Sequence, residues 1–487
     1  MPNKTERLGR EPITPLLLNL ALPSLAGLLI SNLYLIFNRI FVGQAVGSLG
    51  LAAMNATMPI SMIIFAIAIL IGRGSSVLYS IALGARKYGE AQKLFGLSMA
   101  LFLSASLLIT VGGLLFLDDL LYFFGATDAV LSYGRSYLSI SLLGTLFIML
   151  GFQNNLIRAE GFSGLAMMTQ LIGAGLNVVL DYFFVWHFNW GMSGAATATV
   201  ISQGVSALWV MYFFWSGRSV VSLKWKYIQF FGWKRLYLVL YNGCSPFAIN
   251  VAGSVIWAVQ NRMLVTYGGE LAMAAFGIIL TVNQFLFTPL FGICMGMQPI
   301  IGYNTGAGKY KRVLETFYKS IGLSAIFAIG PYIFVQIFAE LVIRLFTDQN
   351  QDPELLKIGV YSMRRFLLLM PLGCGTILVS QYFQSIGRAP VALLIAMLRQ
   401  LLLQLPLTFL LPQFFAYNGV ILSGPVSDTL AFVIAFFIMR HELKRLHRLA
   451  AREELLKTSR SSHTHEIILN QASGPPAGMI DETAERN

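Results

Sequence analysis

Asn177 and Asp181 stand four residues apart in NVVLDYFFVW, a carboxamide and a carboxylate one helical turn from each other in a stretch with no other charge. A carboxyl group in such a setting can hold a cation together with neighbouring oxygens, or take up and release a proton. The same spacing extends the feature. Gln170, Ala174, Asn177 and Asp181 recur at steps of 4, 3 and 4 and form one small or polar stripe. Gly27, Ser31, Tyr34 and Asn38 form a second, and Ala195, Thr199, Ser202 and Ser206 a third. Three such stripes on separate helices can meet at one site. The plain alternative is an Asp that only holds helices together by hydrogen bonds.

The elements that must position these residues belong in lipid. The chain has 487 residues, 56% hydrophobic and only 11% charged, with mean hydropathy +0.69. Water-soluble domains carry about 25% charged residues, so this chain is short of the polar surface that water requires. A span needs roughly 20 apolar residues. About twelve such runs can be placed, near 13 to 42, 50 to 80, 95 to 117, 131 to 157, 164 to 187, 191 to 216, 236 to 267, 271 to 305, 317 to 346, 356 to 386, 389 to 412 and 418 to 440. The expected fold is an all-α membrane protein. On these spans Asn38, Asp181 and Thr199 all fall in the outer third, at similar depth.

Basic residues set the orientation. The N-terminus holds Lys4, Arg7 and Arg10, and alternate connections carry Arg86, Lys87 and Lys93; Arg158; Arg218, Lys224, Lys226, Lys234 and Arg235; Lys309, Lys311 and Arg312; and Arg388. Of the intervening connections only the one near 347 to 357 is basic, through Lys357. By the positive-inside rule both termini are cytoplasmic. The net charge of +12 then describes the inner membrane face and does not indicate nucleic-acid binding. The expected setting is a plasma membrane, the inner membrane in a bacterium, with lipids as the surrounding partners and the chain acting as a monomer. Residues 1–12 read as a cytoplasmic N-terminus without a cleavage signature. Residues 441–487 read as a basic amphipathic helix on the anionic leaflet followed by a disordered polar tail.

The second half repeats the first. FNRIFV (37–42) lies over QNRMLV (260–265), with Asn38 and Asn261 223 positions apart, and GARKYGEAQKLF (84–95) lies over GAGKYKRVLETF (306–317), 222 positions apart. Pro23 and Pro246 match at the same offset of 223. The reading is two six-span lobes in the same orientation, 13–216 and 236–440, joined by a basic cytoplasmic linker at 217–235. Parallel repeats of this kind place a substrate site between two lobes that rock against each other. Pro23 removes a backbone hydrogen bond in the first span and marks a bending point.

FNRIFVG at the end of the first span, GARKYGEAQKLF with its echo IIGYNTGAGKYKR, LDYFFVWHFNWGMSGAATATVISQ and the duplication together resemble the multidrug and toxic compound extrusion (MATE) family, nearest its bacterial drug-export branch. The resemblance covers roughly residues 13 to 440. It implies a V-shaped pair of bundles that exchange H⁺ or Na⁺ for amphipathic, often cationic compounds. It also implies an N-lobe cation site at Asn177, Asp181 and Thr199, with Asn38 where most relatives have Asp. One carboxylate instead of two favours H⁺ over Na⁺, which prefers several oxygen ligands. Tyr34, Gln170 and Ser202 are the expected cavity residues. Neither 236–267 nor 356–386 contains Asp or Glu, so no ion site is expected in the second lobe.

The remaining charges in spans divide by place. Arg39 and Arg262 are expected to snorkel at the outer edge, and Arg39 could instead pair with Asp181. Arg73 suits a cavity or a structural pair. Asp428 can partner one of Arg364, Arg365 and Arg399, and Glu340 can pair with Arg344. Cys244, Cys294 and Cys374 fall inside spans and read as packing residues. No cofactor or metal is expected. The alternative function is a lipid-linked oligosaccharide flippase of a related superfamily. An enzyme is disfavoured because His187, His441, His447, His463 and His465 lie in a loop or the tail.

Overall fold

The computed structural model describes residues 4–124, 126–229, 232–346 and 353–472. Every long element is helical. We number the membrane-crossing helices α1 (Ile13–Ala45), α2 (Ser48–Gly84), α3 (Tyr88–Leu115), α4 (Asp128–Leu143 and Thr145–Ala159), α5 (Ser163–His187) and α6 (Gly191–Trp215) in the first half. The second half has α7 (Trp233–Gly269), α8 (Leu271–Gly306), α9 (Tyr310–Arg344), α10 (Pro353–Phe366 and Met370–Ser385), α11 (389–415) and α12 (417–472). The last two are one helical run broken at Ala416, whose φ of 48° and ψ of −130° no helix can hold. The duplication shows in the backbone, for α4 and α10 are each bent in mid-span, by 50° and 48°.

Glycines bring the two halves together. A Cβ on Gly84 would lie 1.8 Å from the carbonyl oxygen of Tyr303, and one on Gly306 would lie 2.0 Å from that of Ile81. Gly84 and Gly306 are repeat mates, as are Ile81 and Tyr303, each pair 222 positions apart. The contact therefore obeys the internal two-fold relation. Gly74 and Gly243 add a second close approach, between α2 and α7, with Cβ positions 2.0 Å from Val239 O and 1.8 Å from Leu70 O. Only a residue without a side chain allows backbones this close, and close packing is what holds helices together where lipid removes the hydrophobic drive between them.

The buried core repeats this asymmetry between the two ends of the molecule. One large cluster straddles both halves near the basic connections and includes Leu16, Tyr79, Leu83, Phe95, Phe214, Val239, Met297, Ile301, Tyr382 and Phe383. Toward the opposite end the core divides. Ile60, Ile64, Phe102, Leu138 and Leu142 belong to the first half alone, and Leu264, Phe276, Ile279, Val335 and Val420 to the second. The halves are fused at the basic end and separate toward the other, the V expected from the resemblance.

The connection between the halves is docked rather than loose. Glu160, in the short link between α4 and α5, is wholly buried. Its carboxylate accepts hydrogen bonds from Tyr79 Oη at 2.6 Å, from Ser219 Oγ and from the Val220 N–H at 3.3 Å. Gln92 and Ser222 exchange two further bonds, at 2.9 and 2.8 Å, and Arg235 holds both oxygens of Glu90 at 2.7 and 3.0 Å.

Past residue 440 the structure departs from expectation. The basic segment is a direct continuation of α12 to Ala472, with no break that would lay it on a leaflet. The reason is local: no Gly or Pro occurs between Pro425 and Gly474, so the helix has no signal to stop. Glu442 anchors it, taking Arg388 at 2.7 Å and Arg445 at 3.1 Å. The polar tail therefore starts later than composition suggests, and residues 473–487 lie outside the described residues.

Two outcomes follow from these contacts. Gly84→Ala should overpack the joint at a cost of about 1–3 kcal/mol and lower Tm, whereas Gly89→Ala, with nothing within 4 Å of its Cβ, should leave Tm unchanged or slightly raised. Differential scanning fluorimetry of the two variants checks this. Burial pushes the Glu160 carboxyl up to about 7, against the opposing effect of its hydrogen bonds. A folded value above the unfolded one means stability that is full below the ordinary carboxylate range and lost as pH rises through 7. Tm should fall on the order of a few degrees between pH 5.5 and 8, and Glu160→Gln should flatten that slope.

Candidate functional site: an N-lobe polar cluster and a cavity between the lobes

The three polar stripes meet. Tyr34 and Asn38 come from α1, Asn177 and Asp181 from α5, Thr199 from α6. Asp181 is fully buried, and Asn177 and Asn38 nearly so. Asn38 Nδ2 donates to Thr199 Oγ1 at 3.4 Å. The Asn177 amide satisfies both neighbours when its nitrogen faces the carboxylate, donating to Asp181 Oδ2 at 2.8 Å while its oxygen accepts from the Thr199 N–H at 3.2 Å. The opposite orientation gives one longer bond, to Thr199 Oγ1 at 3.3 Å. Among the described residues Asp181 Oδ1 and Asn38 Oδ1 have no hydrogen-bond partner. Two unpaired oxygens in one buried cluster can accept a proton or contribute to the shell of a cation.

Local backbone chemistry explains how Asp181 is presented. It closes the regular part of α5, and the next residues, Tyr182–His187, form a π-turn. Such turns widen the helix and are frequent at functional sites. On the far side Gly27 lets α1 approach α5, since a Cβ there would meet Gln170 Oε1 at 1.9 Å, and Gly173 does the same for α6 at Ser206 Oγ, 2.5 Å away.

Sequence reading missed Tyr137. Its hydroxyl on α4 lies beside Thr199 and Ser141, near Tyr34 and Asp181. Tyr133, Tyr137 and Ser141 recur at steps of four, the same signal that revealed the other stripes.

Next to this cluster lies a cavity of about 470 Å³ between the lobes, within the range of small-molecule sites. Tyr34, Gln170, Asn177, Thr199 and Ser202 line it from the first half, and Pro246, Asn250, Phe291, Met295 and Gln384 from the second. Asp181 is not on its wall; Asn177 and Thr199 stand between. Arg73 and Arg158 are on the wall. For Arg158 this corrects the sequence reading, which placed it in a basic connection. It is 6% exposed, inside the last turns of α4, because that bent span continues to Ala159.

The other charges resolve simply. Arg39 is exposed and reaches Met58 Sδ at 3.3 Å, so it does not pair with Asp181. Arg399 pairs with Asp428 at 2.5 Å, Arg344 with Glu340, and Arg365 stacks on the Tyr361 ring at 3.4 Å. The three cysteines are free, Cys294 and Cys374 fully inside the packing. Pro23 lies within a continuous α1. It is flanked by two contacts with α8, where Cβ atoms on Gly296 and Gly292 would each lie 2.8 Å from Ala21 N and Leu25 Cβ.

The MatE family profile matches residues 23–183 and 246–410, one stretch in each half. The chain belongs to the MATE family. Among curated proteins it is similar to the multidrug export protein MepA of Staphylococcus aureus, 27% identical over 439 residues, covering 88% of this chain and 94% of that one. Among solved structures it is similar to the MATE multidrug transporter DinF-BH, at 32% identity and a TM-score of 0.82, covering 91% and 98% of the two chains. An outward-facing MATE family transporter of the MOP superfamily shares the fold at 24% identity and a TM-score of 0.83. Both matched stretches of the MATE profile contain their lobe's proline, Pro23 and Pro246, and the first contains Asn38, Asn177 and Asp181.

Proposed function

We propose that this MATE protein exports amphipathic organic compounds across a bacterial cell membrane and takes up protons in exchange. The observation that carries the reading is the N-lobe cluster with one buried carboxylate, Asp181, whose Oδ2 takes the Asn177 amide and whose Oδ1 has no hydrogen-bond partner among the described residues. A site with a single formal charge is a weak trap for Na⁺, which needs several hard oxygen ligands, and a suitable one for a proton. The basic end is cytoplasmic by the positive-inside rule, so the glycine joint closes the cavity toward the cytoplasm and the polar cluster lies on the outward side. A single chain contains both lobes and the cavity between them, and acts as a monomer among lipids.

Coupling runs through α1. A neutral Asp181 makes a smaller demand on Asn38 and Tyr34, and α1 can bend at Pro23, where a backbone bond is missing. Bending narrows the N-lobe side of the cavity and expels its contents.

Asp181→Asn should reduce uptake of a fluorescent dye into everted vesicles, where export runs from the bath into the lumen, to the level of vesicles without the protein, with expression unchanged. Collapse of the pH gradient should stop wild-type export and removal of Na⁺ should not; an absolute need for Na⁺ would mean that the Asn38 and Asn177 oxygens complete a sodium site. Pro23→Ala should keep dye binding and slow export severalfold, whereas Pro246→Ala, in the lobe without a buried carboxylate near its helix end, should do less. Equal effects of the two proline variants would reduce Pro23 to ordinary packing.

A further inference from the structure

The wall of the inter-lobe cavity includes no carboxylate, yet it carries two guanidinium groups. Arg158 is buried, and its Nε and Nη2 have no hydrogen-bond partner among the described residues. Arg73, its near neighbour on α2, makes no hydrogen bond or ion pair among the described residues. From the other lobe, Gln381 and Gln384 on α10 present amide nitrogens that are also unpaired. Unpaired acceptors on the wall are the neutral oxygens Gln170 Oε1 and Asn154 Oδ1.

This arrangement is expensive unless something fills it. A charged side chain at membrane depth is costly, and a buried donor left unpaired adds to that cost. Elsewhere within the spans the chain provides a counterion, for Arg399 has Asp428. Here the neighbouring positive charge makes the deficit larger. Bidentate guanidinium donors match the planar carboxylate and the phosphate group, and two of them beside amide N–H groups from the opposite lobe can clamp either one. Above the arginines the wall is greasy, with Phe65 and Phe152 edge to face at 5.7 Å and Phe291 and Met295 opposite.

We propose that the cavity binds the acidic group, carboxylate or phosphate, of an amphipathic molecule at Arg73 and Arg158, with the molecule's apolar body against the aromatic wall. This deepens the export reading and rests on it only for the direction of movement. The bound acid neutralises the two arginines and, through Gln381 and Gln384, ties the C-lobe to the N-lobe while it is present.

The test uses the full chain in nanodiscs of phosphatidylcholine, without any gradient, and a fluorescent dye bearing one carboxylate beside the same dye as its primary amide. Fluorescence polarisation should show the acid binding at least tenfold tighter than the amide. Arg158→Gln and Arg73→Gln should each remove that preference, and Arg73→Lys, which keeps the charge, should retain part of it. Monodisperse gel filtration of the variants shows that they fold. Added phosphatidylglycerol that displaces the acid assigns the site to a lipid phosphate; no displacement assigns it to a free amphipathic acid. Equal binding of acid and amide, or a preference that survives both glutamine variants, overturns the proposal. The export reading fails separately: Asp181→Asn should leave the acid preference intact, and undiminished export by that variant removes the coupling role while the anion site stands.

Discussion

The structure depends on backbone contact between the two repeats at the basic end. Gly84 against Tyr303 and Gly306 against Ile81 are one contact seen twice through the internal two-fold relation, and Gly74 and Gly243 add a second close approach. In a soluble protein such a joint would be supported by hydrophobic burial, but in lipid apolar side chains gain little from meeting each other. Close approach of backbones gives dispersion contacts that larger residues would prevent. The joint is confined to one end, where the buried cluster that straddles both halves surrounds it, while the cores of the two halves stay separate at the other end. Those are the properties a rocking contact requires.

What the joint closes is a cavity whose polarity is unevenly distributed. Toward the end away from the joint stands the Asn38, Asn177, Asp181 and Thr199 cluster, with the carboxylate just behind the wall. Toward the joint stand Arg73 and Arg158. The two ends of one cavity therefore call for opposite charges, a proton or cation at one and an acidic group at the other. Their separation allows each to be filled independently, and α1, which carries Tyr34 and Asn38 and is gripped by α8 on both sides of Pro23, is the element in contact with the first end and with the opposite lobe.

Much of this was legible in the sequence because membrane helices obey few rules and obey them strictly. Hydrophobic length places the spans, and steps of three and four residues pick out Tyr34, Asn38, Asn177, Asp181 and Thr199, which the structure brings together. The repeat was legible from GARKYGEAQKLF and its echo. Three features were not. Arg158 was read as a loop residue because a charge normally ends an apolar run, and only the bend in α4 keeps it inside. The glycine joint was invisible because a glycine's function depends on the backbone opposite, which no local pattern specifies. The helix beyond residue 440 was assigned to the membrane surface from its composition, although the absence of Gly and Pro before Gly474 was the stronger signal.

Exchange as proposed requires that, once Asp181 has taken its proton and the cavity has emptied outward, the lobes part at the basic end. Spin labels at positions 89 and 318, on α3 and α9 near that end, measure the separation directly by double electron–electron resonance in nanodiscs. The account predicts a short distance when the site is deprotonated and a growing population at a longer distance as pH falls, with Asp181→Asn showing one distribution at all pH values. A single distance, unchanged by pH in a protein that still exports dye, would contradict it.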